Sequence, residues 1–231
     1  MSARRFRVEL VARAPLSSRV HRLRFAALEP FQWAAGQHLV VVGGQGQELF
    51  LPYSLASAYD PQKPGEFELA VAFHAGADAM DELPLGAELE VEGPAGTFIW
   101  QATPAPAALL VGVGTGIAPL RALIEEELLR DSAARLLLIA GHRAPEDILF
   151  AEDFARLAAR HARFHFIPTL TFADPSWLGQ RGRVQAQLIE AVGALGSPDA
   201  YVCGRLDMVV QVTAALEAHG IPGSRIRSEG F

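Results

Sequence analysis

The chain has 231 residues, of which half are hydrophobic and 20% are charged, and its formal net charge is −6. This composition predicts one large or two small domains with a substantial core, and the absence of a Lys/Arg cluster argues against a nucleic-acid partner. No apolar run reaches the ~18 residues of a membrane span, and the first residues lack the apolar segment of a signal peptide, so we expect a cytoplasmic protein with no membrane association.

Residues 5 to about 100 have the pattern of short β-strands. Apolar runs such as Leu39–Val42 and Leu69–Phe73 are separated by glycine and proline turns. Several short strands with turns between them favour a small antiparallel barrel. The next segment, 101–107, has two prolines and no periodicity, so we interpret it as a linker between two domains.

From Ala108 onward, strand patterns and helix patterns alternate. The predicted strands are 108–113, 136–140, 164–170, 200–203 and 225–228, and the predicted helices are 118–130, 145–160, 184–193 and 206–219. This order indicates a doubly wound parallel sheet of five strands with right-handed crossovers. Ligands of such sheets bind beyond the carboxyl ends of the strands. The candidate binding loops are therefore the segments 112–116, 141–143, 171–182 and 203–205.

The first of these loops has three alternating glycines. An apolar run ends in Gly112, Gly114 and Gly116, and Pro119 then opens an amphipathic segment. Free N–H groups and the helix dipole at such a helix start both favour an anion such as phosphate. The loop is not the G-x-G-x-x-G fingerprint, whose third glycine would fall at Ile117, and no acid follows the second strand. The pattern favours a nucleotide site over a plain tight turn and leaves the nucleotide open.

Three further segments have two interpretations each. Tyr53 and Ser54 suit contact with a flat ring and its nitrogen, but an edge strand with a half-buried tyrosine explains them equally, and alone we favour the edge strand. Cys203 either lies beside a bound ring or is an ordinary core cysteine, which is the commoner case. Phe231 either covers an apolar ligand or belongs to a frayed terminus.

Cysteine and histidine give no sign of a metal site. Cys203 is the single cysteine, which excludes an internal disulfide and a four-cysteine iron–sulfur cluster within this chain. His161 and His165 have the spacing of a helical metal pair, but a strand pattern separates them, and Ala162 stands where a zincin has glutamate. We predict no metal site and, since no G-x-S-x-G occurs, no serine-hydrolase elbow.

Taken together, these segments resemble the ferredoxin–NADP reductase superfamily, specifically its stand-alone NAD(P)H:flavin oxidoreductase branch. The resemblance covers nearly the whole chain, and seven motifs occur in the family's order. They are the A-G-Q segment at Gly36–Leu39, the flavin-ring motif at Pro52–Ser57, the G-P-x-G-x-F turn at Glu92–Phe98, the pyridine-nucleotide loop at Gly112–Pro119, the G-x-R at Gly141–Arg143, the W-x-G-x-x-G-x-V loop at Trp177–Val184 and the Y-x-C-G at Tyr201–Gly204.

The resemblance implies a fold and an activity. It implies a six-stranded antiparallel Greek-key β-barrel that binds flavin, residues 1–102, followed by the five-stranded parallel domain that binds NADH or NADPH, residues 103–231. The implied reaction passes hydride from the nicotinamide to flavin N5, the flavin being riboflavin, FMN or FAD. The protein's contribution is mainly to hold the reacting atoms ~3–3.5 Å apart.

The same resemblance assigns roles to residues. The implied catalytic residues are Ser54 at flavin N5, Cys203 and Glu229 beside the nicotinamide, and Phe231, which the nicotinamide displaces. The residues implied to bind flavin or nucleotide are Pro52, Tyr53, Ser54, Ala56, Ser57, Gly112, Gly114, Thr115, Gly116, Ile117, Pro119, Arg143, Cys203, Gly204, Asp207, Met208 and Phe231. Since no acid repels a 2′-phosphate, and Arg143, Arg181 and Arg183 lie on nearby loops, we expect both NADH and NADPH to be used.

Two positions depart from the family pattern. Leu51 stands where an arginine usually pairs with the flavin phosphate, and the loop Gly76–Ala79 has no Ser or Thr and carries Asp78. Both changes weaken phosphate binding, so we expect a loosely bound flavin that leaves in its reduced form. One alternative is a reductase that retains its flavin and delivers electrons to a separate oxygenase or iron–sulfur protein. The other is a non-catalytic nucleotide-binding module, against which Ser54, Cys203 and Glu229 argue.

Overall fold

The computed structural model describes residues 3–44, 47–73, 80, 83–103, 105–130 and 132–231. Its first half consists of six antiparallel strands, which are β1 Arg4–Pro15, β2 Val20–Ala27, β3 His38–Gly44, β4 Gln47–Ser54, β5 Glu66–Ala72 and β6 Glu88–Ala95. Their order in the sheet is β4-β3-β6-β1-β2-β5. A bridge between Leu55, directly after β4, and Leu69 of β5 joins the two edges. The predicted six-stranded Greek-key barrel is confirmed.

The interior of the barrel is filled by apolar side chains. Phe6, Val8 and Leu10 are buried at every second position of β1, as expected for a strand with one face toward a core. Phe25 and Phe67 stack in the interior with their ring centroids 5.6 Å apart. Because side chains fill the space, a ligand can bind only at the rim or on the outer surface of the barrel.

The second half is a parallel sheet covered by helices. Its strands are β7 Ala107–Val113, β8 Arg135–His142, β9 Phe164–Leu170, β10 Gln180–Arg181, β11 Asp199–Gly204 and β12 Ile226–Gly230, and its helices are α1 Ile117–Leu129, α2 Ala151–Arg160, α3 Leu188–Leu195 and α4 Leu206–Ala218. The strand order is β10-β9-β8-β7-β11-β12. Residues of α1 and α2 share a core with one face of the sheet, and residues of α3 and α4 share a core with the other. The doubly wound architecture is confirmed.

Two details of this domain differ from the prediction. The sheet has six strands instead of five, because Gln180 and Arg181 form a two-residue edge strand, which is too short to show periodicity. The predicted helix 145–160 begins only at Ala151. Residues 145–147 form a separate 3-10 turn, and Phe150 adopts a left-handed backbone with a φ of 56° that interrupts the helical path.

The segment between the domains is attached to the parallel sheet. The backbone N–H of Gln101 donates to the Tyr201 hydroxyl at 2.9 Å, and that of Ala105 donates to a carboxylate oxygen of Asp199 at 2.6 Å. The ring N–H of Trp100 donates to the carbonyl of Leu123 in α1 at 3.1 Å. These bonds fix the entry into β7. The boundary between residues 102 and 103 stays a prediction.

The helices of the described part of the chain are short. The longest, α1 and α4, have 13 residues each. None of them is both long enough and apolar enough to cross a membrane.

The start of α1 approaches β11 closely because residue 116 is glycine. A Cβ at Gly116 would lie 2.5 Å from the carbonyl oxygen of Cys203 and 2.6 Å from Cα of Gly204. Both neighbours are backbone atoms, so neither can move without shifting a strand. Gly193, inside α3, offers a contrast, because a Cβ there would meet nothing within 4 Å.

We expect Gly116→Ala to lower the free energy of unfolding by about 1–3 kcal/mol, because the added methyl group overpacks a rigid contact. Gly193→Ala should raise it by about 0.5–1 kcal/mol, because alanine is the better helix former. Urea denaturation of the two variants and the parent protein measures both values. Equal stabilities for the two variants would contradict this account of Gly116.

Candidate functional site

A cleft of about 1390 Å³ lies between the barrel and the carboxyl ends of the parallel strands. The barrel lines it with the turn 17–20 and with Ala72 and Phe73, and the other domain lines it with the loops after β7, β8 and β11. This position is the one expected for the ligand of a doubly wound sheet. The volume exceeds the ~300–1,000 Å³ of ordinary small-molecule pockets, so an elongated ligand fits.

The glycine loop after β7 presents backbone N–H groups to this cleft. Residues Gly114–Gly116 form a 3-10 turn that leads into α1, with no side-chain cap and no acidic residue in the first turn. Gly114 has a φ of 54°, and a Cβ there would meet nothing within 4 Å, so the backbone is open to a ligand. Gly114 and Thr115 line the cleft. The arrangement suits a phosphate group.

The remaining predicted residues of this loop lie beneath its surface. Gly112, Gly116, Ile117 and Pro119 are all buried. They allow β7, β11 and α1 to approach one another. Their contribution in this structure is to the shape of the loop, and Gly114 and Thr115 are the residues that face the cleft.

Cys203 lies at the centre of the sheet edge. It pairs with Gly112 of β7 on one side and with Glu229 of β12 on the other. Burial raises the pKa of the Cys203 thiol far above its usual value, and the charge of Glu229 raises it further. The thiol therefore stays protonated, which excludes a thiolate nucleophile and leaves a small, neutral side chain. Gly204, the next residue, is also buried.

The residues after Gly204 form one wall of the cleft. Asp207, Met208 and Phe231 all line it. The Asp207 carboxylate is held by Arg205 and accepts the backbone N–H of Met208 at 2.9 Å. The backbone N–H of Phe231 donates to the carbonyl of Gly204 at 3.1 Å, so the terminal residue is tied to the sheet and does not fray. Its ring is 62% exposed.

The barrel contributes Tyr53 and Ser54 at the end of β4. Both are half-buried, whereas Pro52 is exposed. Ser54 pairs with His38 of β3, and the charge of His38 acts on Glu229 in the other domain. Burial raises the pKa of the Glu229 carboxyl, and His38 lowers it by a smaller amount. Ser54 and His38 are therefore neighbours on the barrel, and His38 is near enough to Glu229 for its charge to act across the domains.

His38 is a residue of this site that sequence reasoning missed. Its Nδ1 atom is buried without a hydrogen-bond partner. The only signal in the sequence was its place after Gly36-Gln37, and nothing in that motif indicated a contact with the distant Glu229. Such an unpartnered nitrogen is uncommon in a folded protein, and this one lies close to Gly96, where a Cβ would come within 2.8 Å of it.

The other two residues of the ring motif are used inside the protein. The Ser57 hydroxyl accepts the backbone N–H of Glu68 at 3.1 Å. The N–H of Ala56 donates to the Glu68 carbonyl at 2.8 Å, and the Ala56 carbonyl accepts a guanidinium N–H of Arg121 at 2.7 Å. Ala56 and Ser57 thus shape the turn after β4, and the roles of Tyr53 and Ser54 toward a flavin ring stay predictions. The predicted phosphate loop Gly76–Ala79 lies outside the described residues.

The comparisons with known proteins agree with this geometry. The chain matches the oxidoreductase FAD-binding domain over residues 7–100 and the oxidoreductase NAD-binding domain over residues 110–214. The ferredoxin–NADP reductase B of Sorangium cellulosum is 35% identical over 246 residues, covering 100% of this chain and 99% of the relative. This chain belongs to the ferredoxin–NADP reductase family. It is an NAD(P)H-dependent flavin oxidoreductase.

Relatives of this reductase work in different settings. The NAD(P)H-flavin reductase of Vibrio harveyi is 26% identical over 202 residues, covering 84% of each chain. The reductase component of a Pseudomonas phenol 2-monooxygenase is 30% identical over 213 residues, and the match spans 88% of this chain but only 59% of that relative. The crystal structure of the Amycolatopsis reductase GcoB superposes with a TM-score of 0.87 at 27% identity, covering 99% of this chain and 70% of that one.

The residues of the reductase fit both groups that its family binds. Gly114 and the uncapped start of α1 suit the phosphates of the nucleotide. Tyr53 offers an aromatic face, and no hydrogen bond of the Ser54 hydroxyl occurs among the described residues, so it is available to a flavin ring nitrogen. When bound, the flavin supplies a ring that accepts hydride from a nicotinamide.

The three arginines of the nucleotide loops differ in what their guanidinium groups contact. The guanidinium of Arg181 donates to the carbonyls of Ala173, Asp174 and Trp177 at 2.8–2.9 Å, so it holds its own loop together. Arg143 and Arg183 both line the cleft, and the guanidinium of Arg143 lies 5.4 Å from the ring centroid of Phe172. Arg143 and Arg183 are therefore the cations of this group that can meet a nucleotide phosphate.

His142 is a second residue of the cleft that the sequence did not single out. It ends β8, is only 7% exposed, and its Nε2 atom has no hydrogen-bond partner. Burial lowers the pKa of His142 from 6.5 to about 4, and contacts with Asp147 oppose this shift only in part. The imidazole is therefore neutral at physiological pH and can exchange a hydrogen bond with a ligand in the cleft.

Because burial lowers the pKa of His142, the free energy of unfolding depends on pH. Between pH 6.5 and about 4 the unfolded chain binds a proton at His142 that the folded chain does not bind, so the free energy of unfolding falls as pH falls through this window. The full contribution of His142 to the free energy of unfolding is on the order of 3 kcal/mol.

We expect His142→Gln to lose less stability than the parent protein between pH 7 and pH 4.5, measured by urea denaturation at each pH. His165→Gln, at an exposed position, is the control, and identical pH profiles for all three proteins would contradict this role of burial.

Proposed function

We propose that this reductase transfers hydride from NAD(P)H to a flavin that it binds loosely and releases in the reduced form. The observation that carries the proposal is the environment of residue 51. Leu51, directly before the ring motif, packs against the core of the barrel and offers no cation to a flavin phosphate. Tyr53 and Ser54 remain to bind the ring. The reductase thus recognises the part that riboflavin, FMN and FAD share.

Each residue of the proposed site has a separate role in the reaction. The Ser54 hydroxyl would hold the flavin ring by donating a hydrogen bond to a ring nitrogen, and such a bond would strengthen as the ring gains electron density. Glu229 lies at the junction of the domains, where burial raises the pKa of its carboxyl group and the charge of His38 lowers it by a smaller amount. Cys203 stays neutral and small, which leaves room for the nicotinamide. Phe231 covers the same face when the nucleotide is absent and excludes water.

A second function has support from the relatives. The reductase component of the phenol 2-monooxygenase passes electrons within a larger system, and by analogy this chain would retain its flavin and serve an oxygenase. The match spans 59% of that relative, 84% of the Vibrio flavin reductase and 99% of the Sorangium ferredoxin–NADP reductase, so coverage does not decide between the two functions. The state of the flavin after purification separates the two functions.

For a free-flavin reductase we expect the desalted protein to contain well below one flavin per chain. Riboflavin, FMN and FAD should then bind with similar affinity, because the phosphate adds little charge-assisted hydrogen bonding. Leu51→Arg should tighten FMN and FAD about tenfold or more, since a hydrogen bond between charged groups contributes about 1.5–3 kcal/mol, and should leave riboflavin unchanged. Quenching of flavin fluorescence measures each dissociation constant.

Leu51→Met is the matched control, since it keeps an apolar side chain of similar size and should bind all three flavins as the parent does. A stoichiometric flavin that survives desalting would favour the oxygenase-linked function. Equal tightening of riboflavin and FMN by Leu51→Arg would refute the argument from the phosphate.

The preference of the reductase between NADH and NADPH provides a separate prediction. We expect the parent to use NADH and NADPH with specificity constants within about a thousandfold, which corresponds to ~4 kcal/mol. Arg143→Ala should lower kcat/KM for NADPH about tenfold more than for NADH, because only NADPH carries a 2′-phosphate that the guanidinium can bind. Steady-state oxidation with added riboflavin measures both values. Arg160→Ala, exposed at the end of α2, should leave the ratio as in the parent, and an unchanged ratio in Arg143→Ala would assign the phosphate to another residue.

A further inference from the structure

Arg121 is a buried cation at the junction of the two domains. It belongs to α1 and is only 7% exposed, which is rare for arginine unless its charge is paired. Its Nη1 atom lies 2.6 Å from Oε2 of Glu68 in the barrel, and its Nη2 atom lies 2.8 Å from Oε1 of Glu125. Its Nε atom lies 3.3 Å from Oδ2 of Asp153 in α2. One side chain thereby joins two helices of one domain, α1 and α2, to a strand of the other.

A second arginine pairs with two of the carboxylates that contact Arg121. Arg22 of β2 pairs with Asp153 and lies 3.8 Å from Glu68. The ring of Phe150 lies beneath both guanidinium groups, 5.1 Å from that of Arg22 and 4.8 Å from that of Arg121. A buried group of this kind is favourable only when every charge keeps its partners, so its geometry tolerates little displacement.

The same helix holds the turn that follows the flavin-ring motif. Arg121 donates to the carbonyl of Ala56 at 2.7 Å, and a carboxylate oxygen of Glu125 accepts the N–H of Ala58 at 3.1 Å. Glu126 accepts the N–H of Ala35 in the neighbouring loop at 3.0 Å. Ala56 lies two residues after Ser54, the residue that the proposed function places at the flavin ring.

The nucleotide loop lies at the N-terminal end of α1. The turn Gly114–Gly116 leads directly into the helix, and Arg121 lies little more than one helical turn after its first residue, Ile117. Helix α1 is therefore a rigid connection between the backbone that faces the nucleotide and the turn that orients Ser54. The ion pair of Arg121 with Glu68 fixes the position of α1, and with it that of the nucleotide loop, relative to the barrel.

We propose that Arg121 is a positioning residue for hydride transfer, which sets the register between the nucleotide loop and the flavin-ring strand. The proposal rests on the proposed function. Hydride transfer requires the donor and acceptor atoms to lie ~3–3.5 Å apart, and a displacement of 1 Å at a distance from the chemistry can lower the rate by 10²-fold. Loss of Arg121 therefore slows the transfer step more than it weakens the binding of either ligand.

The test compares Arg121→Met with Arg156→Met. Arg156 pairs with the same Asp153, but its side chain is 51% exposed, and this pair lies within α2. Stopped-flow reduction of riboflavin at saturating nucleotide measures the limiting rate of transfer, and a 4-deuterated nucleotide shows that this step is observed. We expect Arg121→Met to lower the limiting rate about 10- to 100-fold, with dissociation constants for riboflavin and NAD+ changed less than about threefold. Arg156→Met should keep the rate of the parent.

A second readout does not depend on turnover. Tetrahydro-NAD, which cannot donate hydride, gives a long-wavelength absorbance band when its ring stacks on a flavin. We expect this band at saturation in the parent protein and in Arg156→Met, and a weaker one in Arg121→Met. Arg121→Lys, which restores the charge without the planar fork, should recover the rate and the band only in part.

The possible results have distinct meanings. An unchanged rate and band in Arg121→Met would overturn the proposal, and so would a loss of both ligand affinities in proportion to a loss of stability. If Arg121→Met does not fold, Glu125→Gln weakens the same grip on the turn, and an unchanged limiting rate there would also overturn the proposal. A parent protein that oxidises no NAD(P)H with any flavin would refute the proposed function, while loss of the band in Arg121→Met would still support the role of Arg121 in register.

Discussion

The buried charges around Arg121 are the constraint on which the relation between the two domains depends. Each domain has its own apolar core, and neither core requires the other domain for its alternation of buried and exposed residues. The domains are joined by an apolar cluster in which Ala35, Ala56 and Ala70 of the barrel pack with residues of α1, and by ion pairs and hydrogen bonds from α1 to the barrel. The ion pairs and hydrogen bonds are directional, unlike the apolar packing, so they restrict how the barrel is oriented on the other domain.

That orientation creates the site. Ser54 ends a barrel strand, and Glu229 lies in the last strand of the parallel sheet, paired with Cys203. His38 of the barrel is near enough to act on the carboxyl group of Glu229. None of these residues could act on one ligand without the contact between domains. The cleft is accordingly lined by both domains, with the glycine loop of β7 at its base.

Two potentially reactive side chains at the carboxyl edge of the sheet are uncharged. Burial keeps the Cys203 thiol protonated and the His142 imidazole neutral. A site of this kind lacks a strong nucleophile and presents backbone N–H groups and neutral side chains instead. This suits hydride transfer between two bound rings, where the protein chiefly positions the partners and excludes water. The arginines at the mouth of the cleft supply the charge that a nucleotide phosphate needs.

The sequence alone determined the order of the elements, both architectures and the family, because strand alternation, helix periodicity and turn residues are local properties. It also predicted Gly114 and Thr115, which line the cleft, and Tyr53 and Ser54, whose roles toward a ligand stay predictions. It could not find His38, His142 or Arg121, because each owes its importance to partners far away in the chain. It missed the two-residue strand at Gln180–Arg181 and could not rank Arg143 against Arg181, since only the folded loop shows which guanidinium is already bonded to carbonyls. Tertiary structure decided these points because burial and partner distance depend on how the elements are packed together.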